Sequence, residues 1–166
     1  MKRLLLSATM LLCMCVGAIA QTKVVYDGPM GIDWKFKRSF MNGNTLFVDF
    51  VVENNTSHDF PEFGAVNQGY DPAISNTYNI TAYDDEGNMY DYWTQRQINA
   101  KNGNQYNFNR VALPKGNMIK VRIRIDGIDE YATIIKTFII PVYHPGILGI
   151  PGFSKLTVSN IPIPRE

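Results

Sequence analysis

Residues 30–53 read Met30-Gly31-Ile32-Asp33-Trp34-Lys35-Phe36-Lys37-Arg38-Ser39-Phe40-Met41-Asn42-Gly43-Asn44-Thr45-Leu46-Phe47-Val48-Asp49-Phe50-Val51-Val52-Glu53. Met30, Ile32, Trp34, Phe36 and Phe40 share one parity, and Asp33, Lys35, Lys37 and Ser39 share the other. Only Arg38 interrupts the apolar row. A period of two places one face in a core and the other in water, which is a half-buried β-strand. Asn42-Gly43 then supplies residues that tolerate positive φ, a strong short-range hairpin signal. Leu46, Val48, Phe50 and Val52 form a second apolar row, opposite Asp49 and Glu53. The stretch is therefore expected to be a long hairpin with Trp34 in the core.

Further along, Asn54-Asn55-Thr56-Ser57 is rich in turn formers, and Pro61, Gly64, Gly69 and Pro72 predict a loop over 54–75. Strands are expected at 77–83 and 89–93, with Asp84-Asp85-Glu86-Gly87-Asn88 as the turn between them. Residues 95–104 are polar and read as loop or a helical turn, and 106–113 as strand. Ile119, Val121, Ile123 and Ile125 alternate with Lys120, Arg122 and Arg124 in a strand over 118–125. Tyr131 to Val142 is β-branched and aromatic, as a strand buried on both faces is. A glycine- and proline-rich connection and a last strand over 155–161 complete the chain. No segment has helical periodicity. The expected fold is an all-β antiparallel sandwich of seven or eight strands, with a small barrel as the alternative.

Residues 1–20 stand apart from this pattern. Lys2 and Arg3 precede an uncharged run from Leu4 to Ala20 that ends Ala18-Ile19-Ala20, the small-x-small pattern before a signal-peptidase cut. The run has 17 residues, short of the about 20 that a spanning helix needs. Cys13 and Cys15 raise a lipoprotein signal as the rival, but Leu12 and Met14 are too bulky for the residue before a lipidated cysteine. Residues 21–166 are thus expected to form one exported domain, outside the cytoplasm. Its 146 residues suffice for a core without staples, and both cysteines leave with the leader. No run after residue 20 is long and apolar enough to span a bilayer. The mature chain carries 14 basic and 15 acidic residues. It lacks the concentrated positive footprint of a nucleic-acid-binding protein.

Few residues carry recognisable chemistry. Asp84, Glu86 and Asn88 offer hard oxygen ligands of the kind calcium takes, but Gly87 comes too early for an EF-hand and no Glu closes the loop. A hairpin turn whose aspartates accept local hydrogen bonds is the competing reading. His58 and His144 lie beside turn residues, outside any nucleophile or metal motif. No cofactor loop is present, so none is expected. All 20 aromatic residues follow residue 20. Tyr90, Tyr92 and Trp93, near Tyr83 and Tyr106, are the candidate surface for stacking on sugar rings, with sheet packing as the competing reading. Asn54-x-Thr56, Asn55-x-Ser57 and Asn79-x-Thr81 match the N-glycosylation pattern and are read as chance, because the leader resembles a bacterial signal.

Three segments carry a family resemblance. They are Val48 to Thr56, a strand ending in an Asn-rich turn; Ile80 to Tyr90, a strand, acidic turn and aromatic return; and Leu113-Pro114-Lys115-Gly116 before the strand Val121 to Ile125. Together they resemble the immunoglobulin-like accessory domains of exported bacterial proteins, in particular the DUF4352-type family of unknown function. The leader resembles those of small secreted Bacteroidetes proteins. The resemblance implies a sandwich and transfers no catalytic residue. The functional expectation is a non-enzymatic envelope domain that binds a protein or glycan. A secreted hydrolase with a loop-built site is the alternative.

Overall fold

The long period-two runs do produce strands. A computed structural model describes residues 21–65, 80–91, 98–102, 105–106, 111–145 and 151–165. The expected signal peptide, residues 1–20, lies outside the described residues. The strands are β1 (Lys23–Tyr26), β2 (Ile32–Asn42), β3 (Thr45–Asn54), β4 (Phe60–Ala65), β5 (Thr81–Asp84), β6 (Met89–Asp91), β7 (Ile98–Asn102), β8 (Gln105–Tyr106), β9 (Val111–Leu113), β10 (Met118–Ile125), β11 (Ile134–Pro145) and β12 (Pro151–Pro162). One sheet runs β2-β3-β10-β7-β8. The other runs β1-β12-β11-β4-β9, with β5 and β6 alongside the first half of β11. All pairings are antiparallel. Neither sheet closes into a barrel among the described residues, and the protein is a β-sandwich.

The core sits between the sheets. Leu46, Val48, Phe50 and Val52 of β3 and Val121, Ile123 and Ile125 of β10 meet Phe63, Leu113, Ile135, Phe138, Ile140, Leu156 and Val158 from the other sheet. Each such side chain contributes about 1.5–3 kcal/mol when fully buried. Trp34 bridges the layers, its ring 5.9 Å from Phe50 in its own sheet and 6.1 Å from Phe63 and Tyr26 in the other.

Five expectations are corrected. The strands number twelve among the described residues. The additional ones are short or polar: β1, β4 inside the expected 54–75 loop, and β7 where 95–104 read as loop. Residues 106–113 divide between the two sheets, as β8 and β9. Of the expected irregular connection, Pro145, Pro151 and Gly152 belong to β11 and β12, where His144 pairs with Gly152 and Pro145 with Pro151, and residues 146–150 lie outside the described residues. The β2–β3 turn centres one residue later than Asn42-Gly43. Asn42 pairs with Thr45, leaving Gly43 at φ 60° and Asn44 as the two-residue loop. Glycine first is the pattern of a type II′ hairpin turn.

The fifth correction concerns facing. Phe36 pairs with Phe50, but Arg38 pairs with Asp49, so Lys37 is an extra residue in a β-bulge. One inserted residue exchanges the faces of everything after it. Phe40 therefore leaves the apolar row of Trp34 and points away from the core, opposite Phe47. Met30, at the other end of that row, is 95% exposed. In β11 and β12 the phase changes in both strands at one place, between Ile135 and Phe138 and between Ile161 and Val158, where Asn160 has φ 58°.

A buried amide ties the two sheets together. Asn54, at the end of β3, is 0% exposed. Its Nδ2 donates to the carbonyls of His58 and Leu113, both at 2.9 Å, and its Oδ1 accepts from the Thr56 N–H at 3.0 Å and the Thr56 hydroxyl at 2.7 Å. Its backbone N–H and C=O bond Asn117 and Gly116 in the turn before β10. With both amide hydrogens committed in the interior, Asn54 is no glycan acceptor. Asn54→Ala leaves two carbonyls and an N–H without their partner. It is expected to cost about 3 kcal/mol in urea unfolding, against less than about 0.5 kcal/mol for the exposed Asn55→Ala.

Candidate functional site

The Lys37 bulge shapes a charged and aromatic surface on the outer face of β2, β3 and β10. Because β3 pairs with β2 on one side and β10 on the other, Asp49 has Arg38 and Arg122 as its cross-strand neighbours. Arg122 holds it with two bonds, Nε to Oδ1 at 2.6 Å and Nη2 to Oδ2 at 2.9 Å, and Arg38 adds Nε to Oδ2 at 2.9 Å. Burial pushes the Asp49 carboxyl up. The hydrogen bonds and charges of Arg122 and Arg38 outweigh that and hold it below the usual carboxylate range.

Beside this network Phe40 stacks on Phe47, with centroids 5.1 Å apart and planes 14° from parallel. The Arg38 and Arg122 guanidinium carbons lie 5.1 and 5.0 Å from the Phe40 centroid, and Arg122 also lies 5.9 Å from that of Phe47. Cation–π contacts at such exposed positions contribute about 0.5–1 kcal/mol each. Between the arginines and Val51 is an open depression of ≈ 460 Å³, lined on its flanks by Lys37 and Lys120. Lys35 and Arg124 are paired with Glu53 and Asp126. Lys37 and Lys120 are exposed and form no ion pair with a described residue.

A second polar group lies at one end of the core. His144 Nε2 is 2.9 Å from Ser154 Oγ, on the diagonal of the β11–β12 hairpin. Ser154 is only 7% exposed. The Tyr26 hydroxyl is buried against Ser154 without a well-aligned hydrogen bond, and burial drives its pKa upward. The neighbouring Trp34 Nε1 has no acceptor among the described residues. No carboxylate bonds the His144 ring among the described residues, so the orienting third member of a triad is missing there. His58 is exposed, and only its backbone is engaged, by Asn54 and Thr56.

The aromatic hairpin expected to bind sugar turns its described ring inward. Tyr90 is 5% exposed and belongs to the core. Its hydroxyl donates to Asp84 Oδ2 at 2.7 Å and accepts from the Asp129 N–H at 3.1 Å. Burial first, then the Asp84 bond and the nearby charges, pushes the Tyr90 pKa up to about 12. Tyr90 thus offers no face to a ligand. Tyr92 and Trp93 lie outside the described residues, and Tyr106 pairs with Lys101 along the β7–β8 backbone.

Nor is Asp84 open to calcium. Oδ1 accepts from the N–H groups of Glu86 and Asn88 at 3.0 and 2.8 Å, and Oδ2 accepts from Asn88 Nδ2 at 2.9 Å and from Tyr90. Four donors fill the four lone-pair sites of a carboxylate. Glu86 is exposed, and the described residues contain no group of three or more metal-ligating side chains. The acidic turn is a hydrogen-bonded hairpin closure, the competing reading of its sequence.

Sequence reasoning missed the outer-face network. Its signal was the Arg38 interruption: two adjacent charges, Lys37-Arg38, inside an alternating row mark a bulge, and the row must be recounted after it. Ser154 carried no signal, since its partner lies ten positions back across a hairpin.

No family model, curated protein or solved structure matches the chain. No helix of the described residues is long and apolar enough to cross a membrane.

The acidic turn has a pH signature. Asp85 accepts from the Thr133 hydroxyl and N–H and from the Ile134 N–H, tying the hairpin to the start of β11. Its slight burial opposes ionisation, but these bonds lower its pKa from 3.8 to about 2. A depressed carboxyl stabilises the fold above its unfolded pKa, and the contribution disappears as pH falls through the folded one. Unfolding free energy is expected to drop between about pH 4 and pH 2. Asp85→Asn is expected to flatten that slope by about 1 kcal/mol, the linkage value reduced for solvent screening. Thermal denaturation across that range measures it.

Proposed function

We propose that the protein is an exported, non-enzymatic binding domain and that the outer face of β2, β3 and β10 is its binding face. The observation that carries this reading is the outward turn of Phe40. A bulge at Lys37 removes a large aromatic from the buried row and stacks it on Phe47 beneath two guanidinium groups. Aromatic and arginine side chains are the groups that most often anchor interfaces. The leader-like residues 1–20 support export, and the resemblance to accessory sandwich domains supports a binding role over a catalytic one. The partner is an envelope component, protein or glycan.

The purified 21–166 domain is expected to sediment with the washed envelope fraction of the cells that encode it. Arg38→Gln/Phe40→Ser is expected to reduce that retention at least tenfold, while Trp93→Ala is not. Retention lost in Trp93→Ala but kept in the β2 variant would transfer the binding face to the aromatic hairpin. No retention of the unmodified domain would remove the reading altogether.

One observation favours a secreted hydrolase, the 2.9 Å contact between His144 and Ser154. Turnover of p-nitrophenyl acetate that Ser154→Ala abolishes would replace the binding reading with that one. The depth of Ser154 argues against it, because a nucleophile must reach its substrate.

A further inference from the structure

The depression over Val51 has a charge imbalance that narrows what it can hold. Lys37, Arg38, Lys120 and Arg122 border it, against the single carboxylate of Asp49. Asp49 is already engaged by both arginines. Lys37 and Lys120 have no such partner among the described residues, and they project from opposite sides of β3. Two strand spacings place β2 and β10 roughly 9–10 Å apart. An anionic group entering between them meets cations from both sides.

The geometry points to an acidic polysaccharide as the occupant, with a sugar carboxylate seated between Lys37 and Lys120. This inference rests on the binding-face reading above. Three features select that chemistry. First, the forks of Arg122 and Arg38 are spent on Asp49, which leaves the ammonium groups of Lys37 and Lys120 as the open cations, point charges that a single carboxylate between them can neutralise. Second, β3 is paired along both sides and the depression lies on a sheet face, not an edge. An acidic peptide recognised by sheets adds main-chain hydrogen bonds at an edge. Here every contact must come from side chains, which sugar carboxylates and hydroxyls can meet. Third, the mature chain has 14 basic and 15 acidic residues. That balance confines the positive charge to a local patch, which suits a polymer with one carboxylate per sugar better than the denser phosphates of nucleic acid. At ≈ 460 Å³ the open depression lies in the size range of small-ligand sites.

Calorimetric titration of the 21–166 domain with polygalacturonate at low ionic strength tests this. Neutral dextran, poly-glutamate and polyphosphate serve as comparison polymers. Polygalacturonate is expected to bind, to weaken steeply with added salt, and to exceed each comparison polymer at least tenfold in affinity. Lys37→Gln/Lys120→Gln is expected to weaken it at least tenfold without changing the melting temperature, since both side chains are exposed. Absence of polygalacturonate binding overturns the inference. So does equal affinity for poly-glutamate or polyphosphate, or an unaffected double variant. Envelope retention that persists without polygalacturonate binding defeats the acidic-glycan assignment alone. Loss of both defeats the binding face as well.

Discussion

The sandwich depends on one fully satisfied buried amide. Asn54 sits where β3 leaves its sheet and the chain crosses to β4 in the other. An amide offers two donors and an acceptor with two lone pairs. All four sites are filled, by carbonyls of the 58 region and of β9 and by the donors of Thr56. A buried polar network stabilises a unique arrangement only when every member is satisfied. Here the side-chain partners come from the 56–58 turn and from β9, and the backbone of Asn54 bonds Gly116 and Asn117, so the network closes only when the end of β3, β9 and the turn before β10 are in register together. An apolar side chain in that position would add burial but not alignment. Two of the segments joined here are ones whose sequences carry the family resemblance, the Asn-rich turn after β3 and the Pro114–Gly116 turn.

The second constraint is the parity of β2. Before Lys37 its apolar residues face the core, and afterwards Ser39 and Met41 take the inward positions opposite Val48 and Leu46. The inserted residue leaves Ser39 to be satisfied, and its hydroxyl donates to the Pro162 carbonyl at 2.6 Å. Trp34, upstream of the bulge, accepts the opposite compromise. An indole N–H without an acceptor costs about 1–3 kcal/mol. Burial of its ring and contacts with Tyr26, Phe50 and Phe63 return more, at about 0.5–1.5 kcal/mol per aromatic pair beyond area. Packing wins there over hydrogen bonding.

Long alternating runs were legible in the sequence. β10 spans Met118–Ile125 as its alternation predicts, and β3 buries the expected Leu46, Val48, Phe50 and Val52. Short or polar strands were not. β4 contains Pro61 and Gly64, which locally signal a loop, yet it gains its structure from β9 and β11 on either side. β7 is polar because tertiary pairing with β10, not its own pattern, makes it a strand. Asn54 reads as a turn former in any sequence analysis, which its bonds to Thr56 and His58 bear out, but its tie to the other sheet exists only through Leu113, 59 residues away. The same limit applies to the site. Asp49 and Arg122 look like ordinary wet-face residues and Arg38 like a break in the apolar row, and only register brings the three together. Tyr90 looked like a binding ring because its alternation with Met89 and Asp91 is too short to assign a face.

Stability alone is a poor account of the outer face. Exposed ion pairs contribute about 0–1 kcal/mol, and each cation–π contact about as much. A half-exposed Phe40 gains less than it would in the core, where the unshifted strand would have placed it. Edge protection explains part of the arrangement, since a bulge and Lys37 blunt β2 as a template for pairing with another chain. It does not explain an aromatic pair under two arginines, because serine or threonine after the bulge would protect the edge equally well. Nor does solubility, which the flanking lysines already supply. The sheet bears a surface whose groups are worth more when desolvated, as cation–π pairs and charge-assisted hydrogen bonds both are. Covering that face with a ligand of opposite charge would raise the value of contacts already formed, without moving the backbone that holds them.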